Sequence, residues 1–235
     1  FPSLVSYSNN NIGKNAKGAG SFRDNANNIF NFVATKTDIY QLASGTFTSR
    51  KSGLTGGEDD FFTFTQFGNY VIASNGVDQP QYYLMGTSTN FANLNAIQSA
   101  GTTPLFRVSG VVRDFLVSGN ISTATNRIHW SGINDISAWS GKQSDFQDLP
   151  GSGGKIVHVT SGEVGYVFRQ NQIIRMDYVG GAVVFRLSVI SPNRGAVYGQ
   201  TVCQDNRNVF FYSDDGFYQL SGDTITPIGV EKVNR

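Results

Sequence analysis

A pattern of two β-prone runs joined by a tight turn occurs five times along the chain. Its copies start 40, 45, 50 and 45 residues apart. Within a copy, side chains alternate in direction, so Val209 and Phe211 are expected on one face of a strand and Phe210 and Tyr212 on the other. Each copy therefore predicts an antiparallel hairpin. The copies begin at Asn28, Gly68, Arg113, Glu163 and Asn208.

The turns within the copies contain residues that tolerate a positive φ. The stretches 214–216 (Asp-Asp-Gly) and 75–76 (Asn-Gly) are typical of tight hairpin turns. In the turn 169–172, Asn171 is the residue expected to take a positive φ. Further apolar runs flank these hairpins, so each copy can supply more than two strands. The flanking runs are 61–67, 104–110, 155–161, 182–190 and 196–204.

Strand, hairpin and return strand repeated at this spacing predict an all-β fold, a β-propeller of four-stranded blades. Apolar residues at consecutive positions of the strands fit blades that are buried on both faces. Six blades are expected, with five or seven as alternatives, the sixth formed by pairing 1–8 with 224–230. We expect residues 1–235 to form a single propeller domain. The rival fold is a pair of β-sandwiches, which would show more even strand spacing.

Composition fits short strands and excludes several classes of protein. Charged residues make up 15% of the chain and the net charge is +1, so no overall attraction to nucleic acid or membranes is expected. The 27 glycines and 13% aromatic residues suit turns and packed strands. A single cysteine, Cys203, cannot form an internal disulfide, and its apolar neighbour predicts a buried strand thiol. No apolar run reaches the ~18 residues of a membrane-spanning helix.

Both tryptophans lie in the segment 126–140, "NRIHWSGINDISAWS". Trp130 ends a predicted strand, and Asn134 or Asp135 is expected to cap a single helical turn over 135–140 that ends near Trp139. Large rings bring much buried area, so we interpret both as filling an interface between two blades. The other interpretation is an aromatic platform for a sugar. Together with Phe211 and Tyr212, they form the predicted set of inter-blade aromatic residues.

Three stretches of the chain, taken in order, resemble one protein family. They are 70–94, 126–139 ("NRIHWSGINDISAW") and 191–233. They are similar to segments of the tail hub and nozzle proteins of short-tailed bacteriophages, the family that includes tail tubular and packaged-DNA stabilisation proteins. Such proteins carry platform segments before and after the propeller. The resemblance therefore implies that this sequence is a fragment of a longer chain.

The resemblance implies a structural, non-enzymatic protein of the virion tail. Several copies, six by resemblance, would form a ring around the DNA channel below the portal and adaptor proteins. The ring would retain the packaged genome until ejection, let double-stranded DNA pass without sequence specificity, and attach fibres, spikes or a needle. The polar loops 50–60 and 142–154 are expected to contact neighbouring subunits.

Residues suited to catalysis are few. His129 and His158 lie between apolar neighbours in predicted strands, which predicts packed rings rather than general bases, and no G-x-S-x-G motif is present. Two histidines and one cysteine are too few for a typical closed zinc site, so we expect neither metal nor cofactor. The basic stretch 15–24 is read as a loop, and with Lys14 it contributes Lys17 and Arg23 as candidate contacts to DNA phosphates.

Two functions of other classes remain open from the sequence. A carbohydrate-binding propeller, a lectin or adhesin, would use exposed Trp or Tyr at equivalent positions of each blade, although both tryptophans lie in one copy. A propeller glycoside hydrolase would need paired carboxylates. Asp59 and Asp215, in the acidic stretches 57–62 and 213–216, are the residues to test for that activity.

Overall fold

The structure is a computed structural model that describes residues 10–205 and 207–230. These residues form five four-stranded antiparallel sheets, and within each sheet the strands lie side by side in chain order. The chain divides between residues 97 and 98 into two compact units. No helix in the described part of the chain is long and apolar enough to cross a membrane.

The first unit contains two sheets that share an aromatic core. The ring of Phe32 in the first sheet lies 5.0 Å from the rings of both Tyr83 and Phe91, measured between centroids. Phe62, Val71 and other buried residues of the first unit complete this core. The first sheet comprises β1 (Gly18–Arg23), β2 (Ile29–Ala34), β3 (Ile39–Ala43) and β4 (Thr46–Lys51), and the second β5 (Thr63–Phe67), β6 (Tyr70–Ser74), β7 (Gln81–Leu84) and β8 (Ala92–Asn93).

The second unit contains three sheets, and the fourth sheet packs between the third and the fifth. Its two faces bury different side chains: Val167 faces the third sheet and Phe168 the fifth. The strands are β9 (Phe106–Val112), β10 (Phe115–Ile121), β11 (Ala124–Trp130), β12 (Asp145–Asp148), β13 (Ile156–Val159), β14 (Val164–Arg169), β15 (Ile173–Tyr178), β16 (Phe185–Ser191), β17 (Cys203–Asp205), β18 (Asn208–Ser213), β19 (Gly216–Ser221) and β20 (Thr224–Pro227).

The five predicted hairpins are the second and third strands of the five sheets. All seven residues of β10 are buried, as expected for a strand covered on both faces. Gly76 has the predicted positive φ of 78° and Gly216 one of 143°, whereas Asn171 is not among the residues with a positive φ and that prediction was wrong. The turn 169–172 closes instead through the Arg169 N–H, which donates to the carbonyl of Gln172.

Two other sequence predictions are corrected by the strand pattern. Residues 18–23, read as part of a basic loop, form β1, because all six residues pair with β2 and the ring of Phe22 packs near that of Phe32. The segment 142–154, read as a loop, contains the outermost strand β12, which pairs with β11.

A count of six blades is not confirmed, since the described residues form five sheets. Thr224–Pro227 is the fourth strand of the fifth sheet and pairs with β19. Its predicted partner, 1–8, lies outside the described residues.

Neighbouring sheets approach closely where a side chain is lacking. A Cβ added to Gly110 in β9 would lie 2.6 Å from the carbonyl oxygen of Val159 in β13, closer than packed atoms allow. Gly110 therefore lets β9 and β13, the first strands of the third and fourth sheets, lie side by side.

In every sheet, the turn between the second and third strands is hydrogen-bonded to the segment that leads into that same sheet. We call each such contact an entry latch. In an antiparallel sheet with strands in chain order, this turn and the entering segment lie at the same end of the sheet, which we call the entry end. Four latches use side chains and the third uses backbone groups. The latches are Lys14–Asp38, Thr55–Asp78, Leu105–Ser122, Pro150–Arg169 and Arg194–Asp215.

Candidate functional site

An open depression of about 600 Å³ lies at the entry end of the first sheet. Three segments of the first unit form it: the chain leading into β1, the turn between β2 and β3, and the chain between β4 and β5. The backbone holds these segments together, since Lys17 N–H donates to the carbonyl of Ala34 at 2.7 Å and Phe62 N–H to that of Lys17 at 2.9 Å. The lining residues are Asn11, Gly13, Lys14, Asn15, Lys17, Lys36, Thr37 and Glu58.

One lysine of the depression belongs to the first entry latch. The Lys14 ammonium donates to Thr37 Oγ1 at 3.1 Å and to the carboxylate of the buried Asp38. Burial raises the pKa of Asp38, but hydrogen bonds from Lys14 and Thr37 outweigh it and hold that pKa below its usual value. The same hydrogen bond to Asp38 raises the pKa of Lys14. Asp38 is therefore ionised at neutral pH and is occupied by the latch.

The other two lysines share a single carboxylate. Lys17 and Lys36 lie 3.1 Å and 3.3 Å from the two carboxylate oxygens of Glu58, whose side chain is 68% exposed. The Lys17 side chain is only 10% exposed, and its ammonium also donates to the backbone carbonyl of Glu58 at 2.5 Å and lies over the ring of Phe61. Hydrogen bonds from Lys17 and Lys36 lower the pKa of Glu58. The depression is thus lined by three ammonium groups and one carboxylate.

Of the three predicted DNA-facing residues, the structure brings together two. Lys14 and Lys17 both line the depression. Arg23 ends β1, and a strand of six residues is roughly 20 Å long, so Arg23 lies far from Lys17 at the other end. The main chain of Arg23 is bound there by the side chain of Gln66. The three residues do not form one basic loop because the segment between them is extended.

Two of the four predicted inter-blade aromatics lie between sheets. Trp130 is 4% exposed, and its ring is 5.2 Å from that of Phe185 in the fourth sheet. Its indole N–H donates to the carbonyl of Gln143 at 2.8 Å. Phe211 of the fifth sheet packs at 5.2 Å against Phe168 of the fourth. Each ring joins two neighbouring sheets of the second unit.

The other two aromatic residues contact rings of their own sheets. Trp139 is 3% exposed and lies near His129 and Phe106 of the third sheet. Tyr212 lies on the face of β18 opposite Phe211, 5.0 Å from the ring of the exposed Phe217. Because both tryptophans are buried, neither ring is available as an exposed sugar platform.

The segment that follows Trp130 forms a pair of tight turns rather than the predicted helical turn. Isolated bridges join Gly132 to Asp135 and Gly141 to Ser144. Asn134 has a φ of 52°, which a right-handed helix does not allow. Asp135 accepts hydrogen bonds from the N–H and hydroxyl of Ser137, so it closes a local turn instead of capping a helix.

The histidines and the cysteine occupy unequal environments. Burial lowers the pKa of His158 in β13 to about 4, so this ring is neutral at pH 7. Burial also lowers the pKa of His129, whose Nε2 lies 3.2 Å from the carbonyl oxygen of Trp139. Cys203 is exposed, contrary to the prediction of a buried thiol, because β17 is a short edge strand whose three residues are all exposed.

The acidic residues do not assemble a metal site in the described ranges 10–205 and 207–230, where no group of three or more His, Cys, Asp or Glu is placed to hold an ion. Asp215 is occupied by the fifth latch: it accepts hydrogen bonds from Arg194 at 2.6 Å and from Tyr218 at 2.9 Å. Asp59 is exposed in the chain between β4 and β5.

Sequence reasoning missed three residues that matter here. Lys36 and Glu58 line the depression, and Arg169 is among the largest fully buried side chains. The position of Lys36 in a tight turn between two predicted strands was a usable signal, since such turns lie at the edge of a sheet. Glu58 and Arg169 carried none, because their partners are distant in sequence.

Comparison of the structure with solved structures shows the fold. The extracellular domain of the one component system BT4673 from B. thetaiotaomicron superposes with a TM-score of 0.62 at 11% identity, over 95% of this chain. The chain spans only 29% of the length of that domain. A catalytically inactive virginiamycin B lyase from Staphylococcus aureus, with quinupristin, gives a TM-score of 0.60 at 10% identity, covering 95% of this chain and 73% of the lyase.

BamB from Moraxella catarrhalis gives a TM-score of 0.52 at 13% identity, covering 97% of this chain and 62% of BamB. BamB and the lyase are β-propellers, so the chain has the predicted all-β, propeller-type fold. At identities this low, the likeness shows the fold alone. No protein-family model and no curated protein matches the sequence.

Proposed function

We propose that this chain is a structural component of a bacteriophage tail, in a hub or nozzle. In this proposal several copies form a ring around the DNA channel, retain the packaged genome and attach tail appendages. The observation that carries the proposal is the resemblance of three stretches, in order, to tail hub and nozzle proteins. These stretches run from β6 past β8, along β11 into the paired turns, and from the end of β16 through the fifth sheet.

The local structure of these stretches supports a mechanical role. The stretch 126–139 contains Trp130, which joins two sheets, and the first of the paired turns that follow β11. The stretch 191–233 contains the Arg194–Asp215 latch and Phe211, which joins the fourth and fifth sheets. A protein that transmits force along a tail requires sheets that do not shift against one another, and close-packed aromatic cores resist such movement.

The low charge of the chain fits assembly into a ring. With 15% charged residues, large surfaces can meet a neighbouring copy with little desolvation of ions. The predicted subunit contacts at 50–60 and 142–154 include exposed residues such as Phe146, which is 48% exposed on the edge strand β12. We propose contacts there as part of the ring.

Labelling of intact particles tests this function. Antibodies raised against residues 10–230 are applied to purified phage particles whose genome encodes the full reading frame, and bound gold is located by electron microscopy. We expect label at the tail, in a number of copies consistent with a ring. Absence of the chain from purified particles would refute the proposal. Specific binding of the isolated chain to a glycan array, without particle label, would favour the carbohydrate-binding alternative.

A further inference from the structure

The fourth strands of the five sheets differ in how their outer edges are protected. A strand at the edge of a sheet has unpaired N–H and C=O groups that can pair with another chain. In β4, the N–H and C=O of Phe47 bond to the side chain of Asn10, and the C=O of Arg50 accepts a hydrogen bond from Phe91 N–H. The edge of β4 is therefore already in use.

Three other fourth strands offer little edge to a partner. β8 has two residues, and β20 has four and ends at Pro227. β12 also has four residues, with an aspartate at each end, and the carboxylate of Asp145 accepts a hydrogen bond from Phe146 N–H at 2.8 Å. Short strands, charged side chains and proline are the features that protect sheet edges in natural proteins.

The fourth strand of the fourth sheet, β16, lacks these protections. It has seven residues, of which one, Arg186, is charged, and it contains neither proline nor an acidic residue. In the described part of the chain, only β15 forms hydrogen bonds with its backbone. The pairing with β15 is regular from residue 185 to residue 189 and shifts register at Ile190. Residues 185–189 therefore form a straight edge that a further strand can extend.

The backbone groups that face outward from β16 belong to alternate residues. Val179 N–H donates to the C=O of Val184 at 3.0 Å, one step beyond the last pair of the two strands. In an antiparallel pair, the hydrogen bonds to one neighbour recur at every second residue. The N–H and C=O groups of Phe185, Leu187 and Val189 therefore point away from β15, and they offer donors and acceptors in alternation along the edge.

The stretch 185–189 is complementary to itself in the antiparallel direction. Around a two-fold axis at Leu187, Phe185 of one copy lies opposite Val189 of the other, and Arg186 lies opposite Ser188. Phe185 and Leu187 pack on the core between the third and fourth sheets, so the second copy would continue this apolar row. Val189, which is 52% exposed, would be covered by it. No pair places like charges opposite each other, which would be destabilising.

The charges beside the strand do not oppose this contact. Arg186 is 67% exposed and lies 4.0 Å from Asp177, which also pairs with Arg175. Arg175 in turn contacts Asp223 of the fifth sheet. The charges of these two arginines and two aspartates sum to zero. The two Arg186 side chains of a dimer would be diagonal neighbours at the surface, where salt screens their repulsion.

We propose that the edge of β16 binds a second copy of this chain, which adds its own β16 antiparallel across a two-fold axis at Leu187. About six backbone hydrogen bonds, two for each of three residue pairs, would join the copies. Two-fold contacts are the commonest between identical chains. The edge lies outside the loops 50–60 and 142–154 that are proposed to meet neighbours in a ring, so this inference does not depend on the tail function.

Sedimentation equilibrium of the 235-residue chain is the first test. One pair of strands buries less than the ~1,200 Å² of stable complexes, so we expect a weak monomer–dimer equilibrium. Val189→Lys should weaken it about tenfold or more, because in a symmetric dimer a charge then meets an apolar side chain twice. The matched control is Val77→Lys, at a valine that is 41% exposed in a turn of the first unit. It should change the dissociation constant by less than about twofold.

Hydrogen exchange, followed by NMR at low and high protein concentration, reports the pairing itself. The N–H groups of Phe185, Leu187 and Val189 should exchange more slowly at high concentration. Those of Arg186 and Ser188, which bond to β15, should not change. This alternation is specific to pairing at the edge of β16 and does not depend on the folding of any variant. Because it is measured on the isolated chain, its result is independent of the labelling of phage particles.

Three outcomes would overturn the inference. The first is a chain that stays monomeric at every concentration. The second is a dimer in which Val189→Lys has no more effect than Val77→Lys, or in which the alternating protection is absent, because the contact then lies elsewhere. The third is growth into open-ended aggregates without a discrete dimer, since a two-fold contact closes on itself.

Discussion

Arg169 provides the sharpest test of the entry latches. This side chain is 2% exposed and makes four hydrogen bonds, all to neutral oxygens. Three are to the backbone of the segment that leads into the fourth sheet: the carbonyls of Pro150 at 2.8 Å, Gly151 at 3.1 Å and Gly154 at 2.8 Å. The fourth is to Gln172 Oε1 at 2.7 Å. Burial lowers the pKa of Arg169, so the four bonds offset a real cost of desolvation.

The expected cost of Arg169→Met follows from these bonds. Hydrogen bonds from a charged donor contribute about 1.5–3 kcal/mol each, and the cost of burying the cation, several kcal/mol, cancels roughly half of that sum. In the variant, water can reach the carbonyls of the exposed Pro150 and Gly151, which reduces the penalty further. We therefore expect a loss of about 3 kcal/mol. Arg169→Lys should cost as much or more, since it keeps the charge but cannot reach four acceptors.

The assay is urea unfolding combined with hydrogen exchange. Arg186→Met is the control, because its side chain is 67% exposed and its nearest carboxylate oxygen, on Asp177, is 4.0 Å away. We expect it to cost less than about 1 kcal/mol. Exchange should quicken at Asn171 and Gln170 in the Arg169 variants, since their N–H groups donate to the same segment. If Arg169→Lys is as stable as the wild type, the reasoning about the latch is refuted.

Three further predictions concern the second unit. His158 has a pKa of about 4 in the folded state, below that of an unfolded histidine. Its contribution to stability is therefore complete above pH 6.5 and is lost as the pH falls towards 4. Between pH 7 and 5, chemical unfolding should show the wild type losing about 2 kcal/mol more than His158→Gln. Trp130→Ala should lower the free energy of unfolding by about 3–5 kcal/mol, and Phe146→Ala, on an exposed edge strand, by less than about 1 kcal/mol. Equal losses would contradict the inter-sheet role of Trp130. Cys203 should react with a thiol reagent at the same rate with and without denaturant, and protection in the native state would contradict its exposed position.

Much of the architecture could be predicted from the sequence because the information is local. The alternation Val209, Phe210, Phe211, Tyr212 predicts a strand, and the following Asp-Asp-Gly predicts the turn that ends it. Where local signals conflict with pairing, the prediction failed. The stretch 18–23 is rich in small residues and reads as a loop, yet it forms β1 because all six of its residues pair with β2.

The candidate site was only partly predictable because its members come from three separate segments. Lys14 and Lys17 were identified from a short basic stretch, but nothing local connects them to Glu58, more than 40 residues further on in the chain. The misassignment of Arg23 has the same origin. Proximity in sequence was taken as proximity in space, whereas an extended strand places residues that are six positions apart at opposite ends of a sheet.

Comparison of the five latches shows that their geometry does not depend on the charge of the residues that form them. The latches share a geometry but not a charge: Thr55 and Asp78 leave a net negative charge, Arg169 a positive one, and Arg194 with Asp215 none. The third latch uses only backbone groups. Tying a turn to an entering segment therefore requires no particular charge. In the first sheet, Lys14 and Asp38 form the latch, whereas Lys17 and Lys36 bind Glu58 and so tie the chain between β4 and β5 to the same end of the sheet.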